Sequence, residues 1–183
     1  MVDENVVLET PRLLLRKFSM DDLAALEAVL SDPIAMKWYA APFDREGVTT
    51  WIERNINRYG NEGYGLWAMV LKSSGEMIGD CGCVNQEVEE RPVIEIAYHV
   101  RRDLWNNGYA TEAARACIQY AFDKLGAQRV VSMIRPGNVN SRRVAEKNGL
   151  TCEKIVFWKN FDHCIYEKSK SQLAADFRKI HAD

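Results

Sequence analysis

Trp105-Asn106-Asn107-Gly108-Tyr109-Ala110-Thr111-Glu112-Ala113 is the stretch on which the fold turns. Gly108 lets a backbone approach a ligand with no Cβ in the way, and a strongly periodic segment begins directly after it. Unpaired N–H groups and the positive end of a helix dipole then converge on one spot, which is the physical description of an anion site. The helix so opened carries Ala110, Ala113, Ala114, Cys117, Ile118, Ala121, Phe122 and Leu125 at three- and four-residue steps, and Gly126 stands where a C-cap belongs. Val93 to Val100 before the loop and Gln128 to Ile134 after the helix are β-branched and apolar enough for buried strands. Strand, loop, helix and strand make a βαβ unit.

A lone glycine in a helix-opening loop equally describes an ordinary turn capped by asparagine. The balance shifts with a second stretch, Asn138-Val139-Asn140-Ser141-Arg142-Arg143-Val144-Ala145-Glu146-Lys147-Asn148-Gly149-Leu150, just after the next strand. With Glu95-Ile96-Ala97-Tyr98 ahead of the loop, these motifs in this order resemble the GNAT superfamily of acyl-CoA-dependent N-acetyltransferases. Within it they are similar to the RimJ/RimL-type branch that acetylates protein N-termini. The resemblance runs from Glu9-Thr10-Pro11-Arg12-Leu13-Leu14-Leu15-Arg16 to Tyr166. It implies an α/β fold with a mixed, mostly antiparallel seven-stranded sheet, splayed at its middle, helices on both faces, and acyl-CoA held between the Glu95 strand and the strand ending at Ile134.

The rest of the chain is consistent with one domain over residues 1–183, because 47% apolar residues supply a substantial core. With 24 basic and 26 acidic residues the formal charge is −2, which leaves no basic footprint for nucleic acid or an anionic membrane. No apolar run approaches about 20 residues and no cleavable leader opens the chain, so a soluble cytoplasmic protein is expected. Cys81, Cys83, Cys117, Cys152 and Cys164 are odd in number and sit in apolar contexts, which suits reduced, buried thiols better than disulfides or zinc.

Leu13 to Leu15 suggest a first strand, and Ser19 with Asp22 a capped helix start ahead of Leu23, Leu26, Val29 and Leu30. Pro33 stops that helix, and the aromatic run around Trp38 and Tyr39 is irregular. A second helix follows Asp44 with Trp51, Ile52, Ile56 and Tyr59 as its buried side, broken by Gly60 and Gly63. Gly65 to Leu71 and Met77 to Val84 read as a hairpin, with a polar stretch from Asn85 to Pro92 leading to the Glu95 strand. Cys152 to Trp158 and His163 to Glu167 read as a final hairpin, and Gln172 to His181 as a terminal helix or docked tail.

The resemblance implies acetyl-CoA as co-substrate, and no metal is expected. Backbone N–H groups of Asn106, Asn107, Gly108, Tyr109, Ala110 and Thr111 would meet its pyrophosphate, and the main chain of Tyr98, His99 and Val100 its pantetheine arm. Asn138 stands where the family places an asparagine on that arm, although an N-cap role suits it equally. Amine acetylation needs a neutral amine, a stabilised oxyanion and a proton for the thiolate. A backbone N–H near Val100 would serve the oxyanion and Glu95 the base, directly or through water; a carboxylate ion-paired to an arginine at the sheet surface is an equal account of Glu95. For His99 the plainer account is a hydrogen-bonded structural histidine.

Many superfamily members carry a tyrosine acid where this chain has Ala145. Ser141, one turn nearer the cofactor, is the substitute the resemblance suggests, as hydrogen-bond donor or water relay, and a serine bonding its own helix backbone is the alternative. Trp38 and Tyr39 are candidate acceptor contacts. Cys83 and Cys117 have no basic neighbour in sequence that would make a nucleophile, and the resemblance implies direct transfer.

The expected function is acetyl transfer from acetyl-CoA to a primary amine, such as a protein or peptide N-terminus. A small-molecule acceptor (amino acid, polyamine or aminoglycoside) is the second reading, and Ala145 keeps open a non-catalytic acyl-CoA-binding module. Monomer and homodimer are both compatible with the sequence. No phosphate-binding G-x-x-x-x-G-K-[ST] run is present for nucleotide hydrolysis.

Overall fold

A computed structural model describes residues 5–173. The chain divides into two compact units, one of residues up to Val84 together with Ala97–Cys117, the other of Asn85–Ile96 together with residues from Ile118 on.

In the first unit, β1 (Val6–Glu9) pairs antiparallel with β2 (Leu13–Arg16), β2 with β3 (Leu66–Leu71), and β3 with β4 (Met77–Val88). Leu13 and Leu15 are fully buried while Leu14 and Arg16 are half-buried, the period of two that sets which face of β2 meets the core. A 3-10 turn at Met20–Asp22 leads into α1 (Leu23–Leu30). Its start is fixed by the Ser19 N–H, which donates to the Asp22 carboxylate at 2.9 Å, and by Arg16, which donates to both Asp22 oxygens at 2.8 and 2.6 Å.

The second helix, α2 (Arg45–Asn61), is N-capped by Asp44, whose side chain accepts from the Gly47 N–H at 2.8 Å. Gly60 does not end it. Ile56, expected on the buried side, is exposed, and Asn55 is the polar residue buried instead. Its Oδ1 accepts from the Leu66 N–H and its Nδ2 donates to the Trp51 carbonyl, both at 2.9 Å, so burial leaves no amide group of Asn55 unsatisfied. Leu26, Val29, Leu30, Val48, Ile52, Leu66 and Ala68 form the centre of this core.

In the second unit, β6 (Arg129–Ile134) pairs antiparallel with β8 (Phe161–Ser169), which forms a hairpin with β7 (Thr151–Trp158). The strand β5 (Arg91–Val100) runs parallel to β6 at Ile94↔Val130 and Glu95↔Val131. Just beyond, the Ser132 hydroxyl donates to the Ile96 carbonyl at 2.8 Å, a side chain in place of a ladder bond. Val88, Val93, Val131 and Ile165 make a second small core. Here too lies α4 (Val139–Lys147).

Strands β4 and β5 and the helix α3 (Tyr109–Asp123) contribute residues to both units. Hydrogen-bonded strand order is β1-β2-β3-β4-β5-β6-β8-β7. This is the mixed, mostly antiparallel α/β sheet expected, with eight strands in place of seven. The extra one is β1, a four-residue strand with no buried residue and therefore no alternation to read. The polar stretch after Val84 is likewise mostly strand. It holds the end of β4, a two-residue turn at Glu89-Glu90 with φ of 50° and 62°, and the start of β5. Lys159-Asn160, at φ 45° and 69°, makes the same kind of turn between β7 and β8. All five cysteines are free thiols, but Cys152, on β7, is exposed. The tail read as Gln172 to His181 lies outside the described residues beyond 173. No helix among the described residues is long and apolar enough to cross a membrane.

Candidate active site

The loop before α3 is held open by residues distant in sequence. Asn106 takes φ 65° and Gly108 φ 82°, so two left-handed residues turn the chain into the helix. Trp105 pins the loop to β5 by donating its indole N–H to the Val100 carbonyl at 2.7 Å. Arg12 donates to the Asn107 carbonyl at 2.9 Å, and its guanidinium lies 4.5 Å from the Tyr109 ring centre. Asn107 closes the loop on itself through bonds to the Leu104 and Trp105 carbonyls at 3.1 and 3.2 Å.

Glu112 is the acidic residue of the first turn, and an uncompensated carboxylate there would repel a phosphate. It accepts from the Thr10 hydroxyl at 2.7 Å, from the Arg12 backbone N–H at 2.9 Å and from the Arg12 guanidinium at 2.6 Å. Burial opposes its ionisation, yet these three partners together hold its carboxyl below the usual range. Arg12 thus neutralises the charge, and Thr10 and Arg12 together fix the helix start. The resulting donor set, backbone N–H groups at a positive-φ glycine with a balanced carboxylate, fits a pyrophosphate.

A second cluster in the same unit is made of side chains. The register of β3 on β4 shifts at Ile78, since Met69 pairs with Gly79 but Val70 with Met77, and this bulge sets Gly79 against β5. A Cβ on Gly79 would fall 2.0 Å from the His99 carbonyl oxygen, so only glycine permits the approach. Next to it Asp80 is completely buried. His99 Nδ1 lies 2.6 Å from its Oδ1, and the Trp51 indole N–H donates to its Oδ2 at 2.9 Å. On the other side of the imidazole, the Tyr39 hydroxyl lies 2.6 Å from Nε2. Trp51 packs edge-on to the imidazole with ring centres 5.5 Å apart, and Tyr39 at 5.6 Å.

Tyr39 belongs to a run of turns between α1 and α2 that Asp32 organises. One Asp32 oxygen accepts from the Ile34 and Ala35 N–H groups, and the other from Arg102 Nε at 2.7 Å. Trp38, half-buried beside Tyr39, lies under the Lys37 ammonium at 4.8 Å.

In the second unit, Asn138 is the N-cap of α4, accepting from the Ser141 N–H at 3.2 Å. The capping role foreseen for Asn138 is therefore present, and it occupies Oδ1. Glu95, half-buried on β5, accepts from Gln86 Nε2 at 2.9 Å. Ala145 is 2% exposed, so its site is packed to the size of a methyl group.

The acetyltransferase (GNAT) domain family matches residues 12–151. The chain belongs to the GNAT acetyltransferase family. Its relatives include the uncharacterized protein YkkB of Bacillus subtilis (strain 168), 39% identical over 88% of this chain and 94% of that one. Another is the uncharacterized N-acetyltransferase p20 of Bacillus licheniformis, 31% identical over 91% and 90%. The crystal structure of a GNAT-family acetyltransferase from Bacillus anthracis matches at a TM-score of 0.77 and 26% identity, over 90% of this chain and 98% of that one. An aminoglycoside acetyltransferase in complex with coenzyme A shares the fold at a TM-score of 0.74 and 18% identity, over 89% and 98%.

As a GNAT acyltransferase the chain has no thiol suited to carry the acyl group at Cys83 or Cys117. Both are buried, and burial pushes both thiols well up from their ordinary range. Of the residues read from sequence, the structure joins Tyr39 to His99, and Asn138 to Ser141. The first unit holds Trp38, Tyr39, Tyr98, His99, Val100 and Asn106 to Thr111; the second holds Glu95, Asn138 and Ser141. Sequence reasoning passed over Asp80, Trp51, Thr10 and Arg12 as site-builders. Arg12 was inside the recognised Thr10-Pro11-Arg12 motif, but Asp80 carried no signal beyond being a carboxylate in an apolar strand.

Proposed function

We propose that the protein transfers an acetyl group from acetyl-CoA to a primary amine by direct attack, working in the cytoplasm as a single domain spanning residues 1–183. The loop at Asn106–Thr111 carries this reading, since its main chain, held by Arg12 and Trp105, offers donors beside a carboxylate already neutralised. Bound there, acetyl-CoA supplies an activated acetyl thioester. Gly108, Tyr109, Ala110 and their neighbours would hold its pyrophosphate, and the main chain of Tyr98, His99 and Val100 its pantetheine arm, with an N–H near Val100 facing the developing oxyanion. Asn138, its Oδ1 committed to the cap, would use its amide N–H on that arm. Ser141 would hydrogen-bond the sulfur, because the packed position of Ala145 offers no acid.

The acceptor is proposed to be a protein or peptide N-terminus, with Glu95 as the base that takes the amine proton directly or through water, and Trp38 and Tyr39 as acceptor contacts. A small-molecule amine is the second reading, favoured by the fold shared with an aminoglycoside acetyltransferase. The test is thiol release from acetyl-CoA against N-terminal peptides, amino acids, polyamines and aminoglycosides, with intact-mass detection of products. Acceptor-dependent release with acetylated product establishes the reading and its acceptor class. Saturable acetyl-CoA binding without release across the panel would move the chain to a regulatory binding module.

A further inference from the structure

The strand β7 ends the hydrogen-bonded order, and among the described residues it pairs with β8 alone. It reads Thr151-Cys152-Glu153-Lys154-Ile155-Val156-Phe157-Trp158. Phe157 is 75% exposed and Ile155 60%, the two most exposed of the large apolar residues described. They stand two positions apart and so share one face of the strand. Val156 between them turns to the other face, where it packs on the small core of Val88, Val93, Val131 and Ile165. An edge strand kept apart from other chains would carry charge or proline at positions 155 and 157. The one lysine of the strand, Lys154, is instead engaged at home by Glu89, on the turn between β4 and β5.

The main chain of β7 limits how a partner strand can meet it. Lys159 and Asn160, both at positive φ, make a two-residue turn, and the residues flanking such a turn, Trp158 and Phe161, bond to each other. By the alternation of an antiparallel ladder, Lys154, Val156 and Trp158 aim their N–H and C=O groups at β8, and Ile155 and Phe157 aim theirs away from it. The two residues with exposed apolar side chains therefore also carry the outward main-chain groups. A second copy of β7, laid antiparallel about a two-fold axis at Val156, brings Ile155 opposite the partner's Phe157, apolar against apolar. At each end Glu153, beside the bulge, then faces the partner's Lys159, acid against base. Both of these charged side chains are exposed. Moving the axis to Ile155 would set Glu153 against the partner's Phe157, and moving it to Phe157 would set Ile155 against the partner's Lys159.

We propose that the protein is a two-fold dimer in solution, in which β7 pairs antiparallel with β7 of a second copy, centred on Val156. The strands then run β6-β8-β7-β7-β8-β6, antiparallel throughout, and Ile155 and Phe157 of both copies leave water together. Each copy uses the same patch, so the assembly closes at two. No residue of β7 is assigned to the acetyl-transfer chemistry, and the dimer stands apart from that reading.

The experiment is sedimentation velocity on the full chain and on Phe157→Glu and Ile155→Lys. The wild type is expected to sediment as a dimer at about 50 μM. Phe157→Glu removes two buried rings from each dimer and should raise its dissociation constant about 100-fold or more. Both side chains are exposed in the single chain, so the far-UV spectrum of each variant should match that of the wild type. Spin labels on Cys152, the one exposed cysteine, read the register. Four residues from the axis in each copy, their anchors should lie about 25 Å apart by electron-spin distance measurement. A wild type that stays monomeric up to about 100 μM overturns the proposal and leaves this edge to another protein or to residues beyond 173. A dimer that survives both substitutions overturns it as well, because the interface then lies elsewhere. So does a label separation below about 15 Å or above about 40 Å, which no pairing centred on Val156 allows.

Discussion

The anion loop at Asn106–Thr111 and the cluster around His99 lie in the same unit and meet near Val100, yet they are built from opposite materials. The loop presents main chain, and the side chains around it (Arg12, Thr10, Glu112, Trp105) are spent on holding it in shape. The cluster presents side chains, and the main chain beneath it is what gives way: β4 bulges at Ile78 and accepts a glycine at position 79 to bring Asp80 to His99. Binding an anion needs many weak donors at fixed positions, which a backbone supplies without titrating. Satisfying a fully buried carboxylate needs donors that reach it from separate elements, which side chains offer.

If that division is right, the two regions should fail differently. The largest effect expected is that of Asp80→Ala, which leaves the Trp51 indole N–H and the His99 ring without their buried acceptor and should cost about 1–3 kcal/mol for each in denaturant melts, with acetyl-CoA affinity by calorimetry much less affected. Gly108→Ala should do the reverse. Its added Cβ meets only Arg12, at the ordinary contact distance of 3.4 Å, so the penalty is the φ of 82°. A left-handed alanine costs about 1–2 kcal/mol, and a free loop that relaxes to escape this strain must take it up again on binding, a rise of up to roughly five- to thirtyfold in acetyl-CoA Kd. The kcat at saturation should hold; a fall in kcat as large as the change in Kd would break the comparison.

Arg12→Ala removes a half-exposed ion pair, a loss of about 1 kcal/mol or less in thermal unfolding. It also leaves Glu112 uncompensated before the phosphate, so Kd should rise severalfold and recover on adding Glu112→Gln; no recovery would mean that the guanidinium contacts the ligand itself. Asn138→Ala should cost about 1 kcal/mol of stability through the lost cap of α4, read by denaturant melts.

The smallest effect concerns pH. Glu112 is held below its usual range, so its contribution to stability is complete above the unfolded value of about 4.3 and disappears as pH falls through the lower folded value. Wild type and Arg12→Ala should therefore converge in stability at acid pH. A gap that widens on acidification would contradict the assignment.

Much of this architecture was open to inspection in the chain. The apolar run Leu13 to Leu15 between Arg12 and Arg16, the capped starts at Ser19 and Asp44, the stripe from Ala110 to Phe122 and the turn at Gly75 each state a local preference, and the structure follows it. Where it departs, no local signal existed. Glu89-Glu90 makes a tight left-handed turn without glycine or asparagine. Ile56 yields the buried side of α2 to Asn55 because the amide finds Leu66 and Trp51 as partners, which no helical period foretells.

By itself, the sequence determined the βαβ unit, the loop before α3 and the family, because a glycine at positive φ, a cap and an apolar period act between residues a few positions apart. Only tertiary structure decided that Asp80 meets Trp51 and His99, that Tyr39 meets the same imidazole, and that Arg12 holds a helix start 95 to 100 residues away. Those contacts join separate strands and helices, and their partners are chosen by packing and by the need to satisfy a buried charge, neither of which leaves a mark in local order.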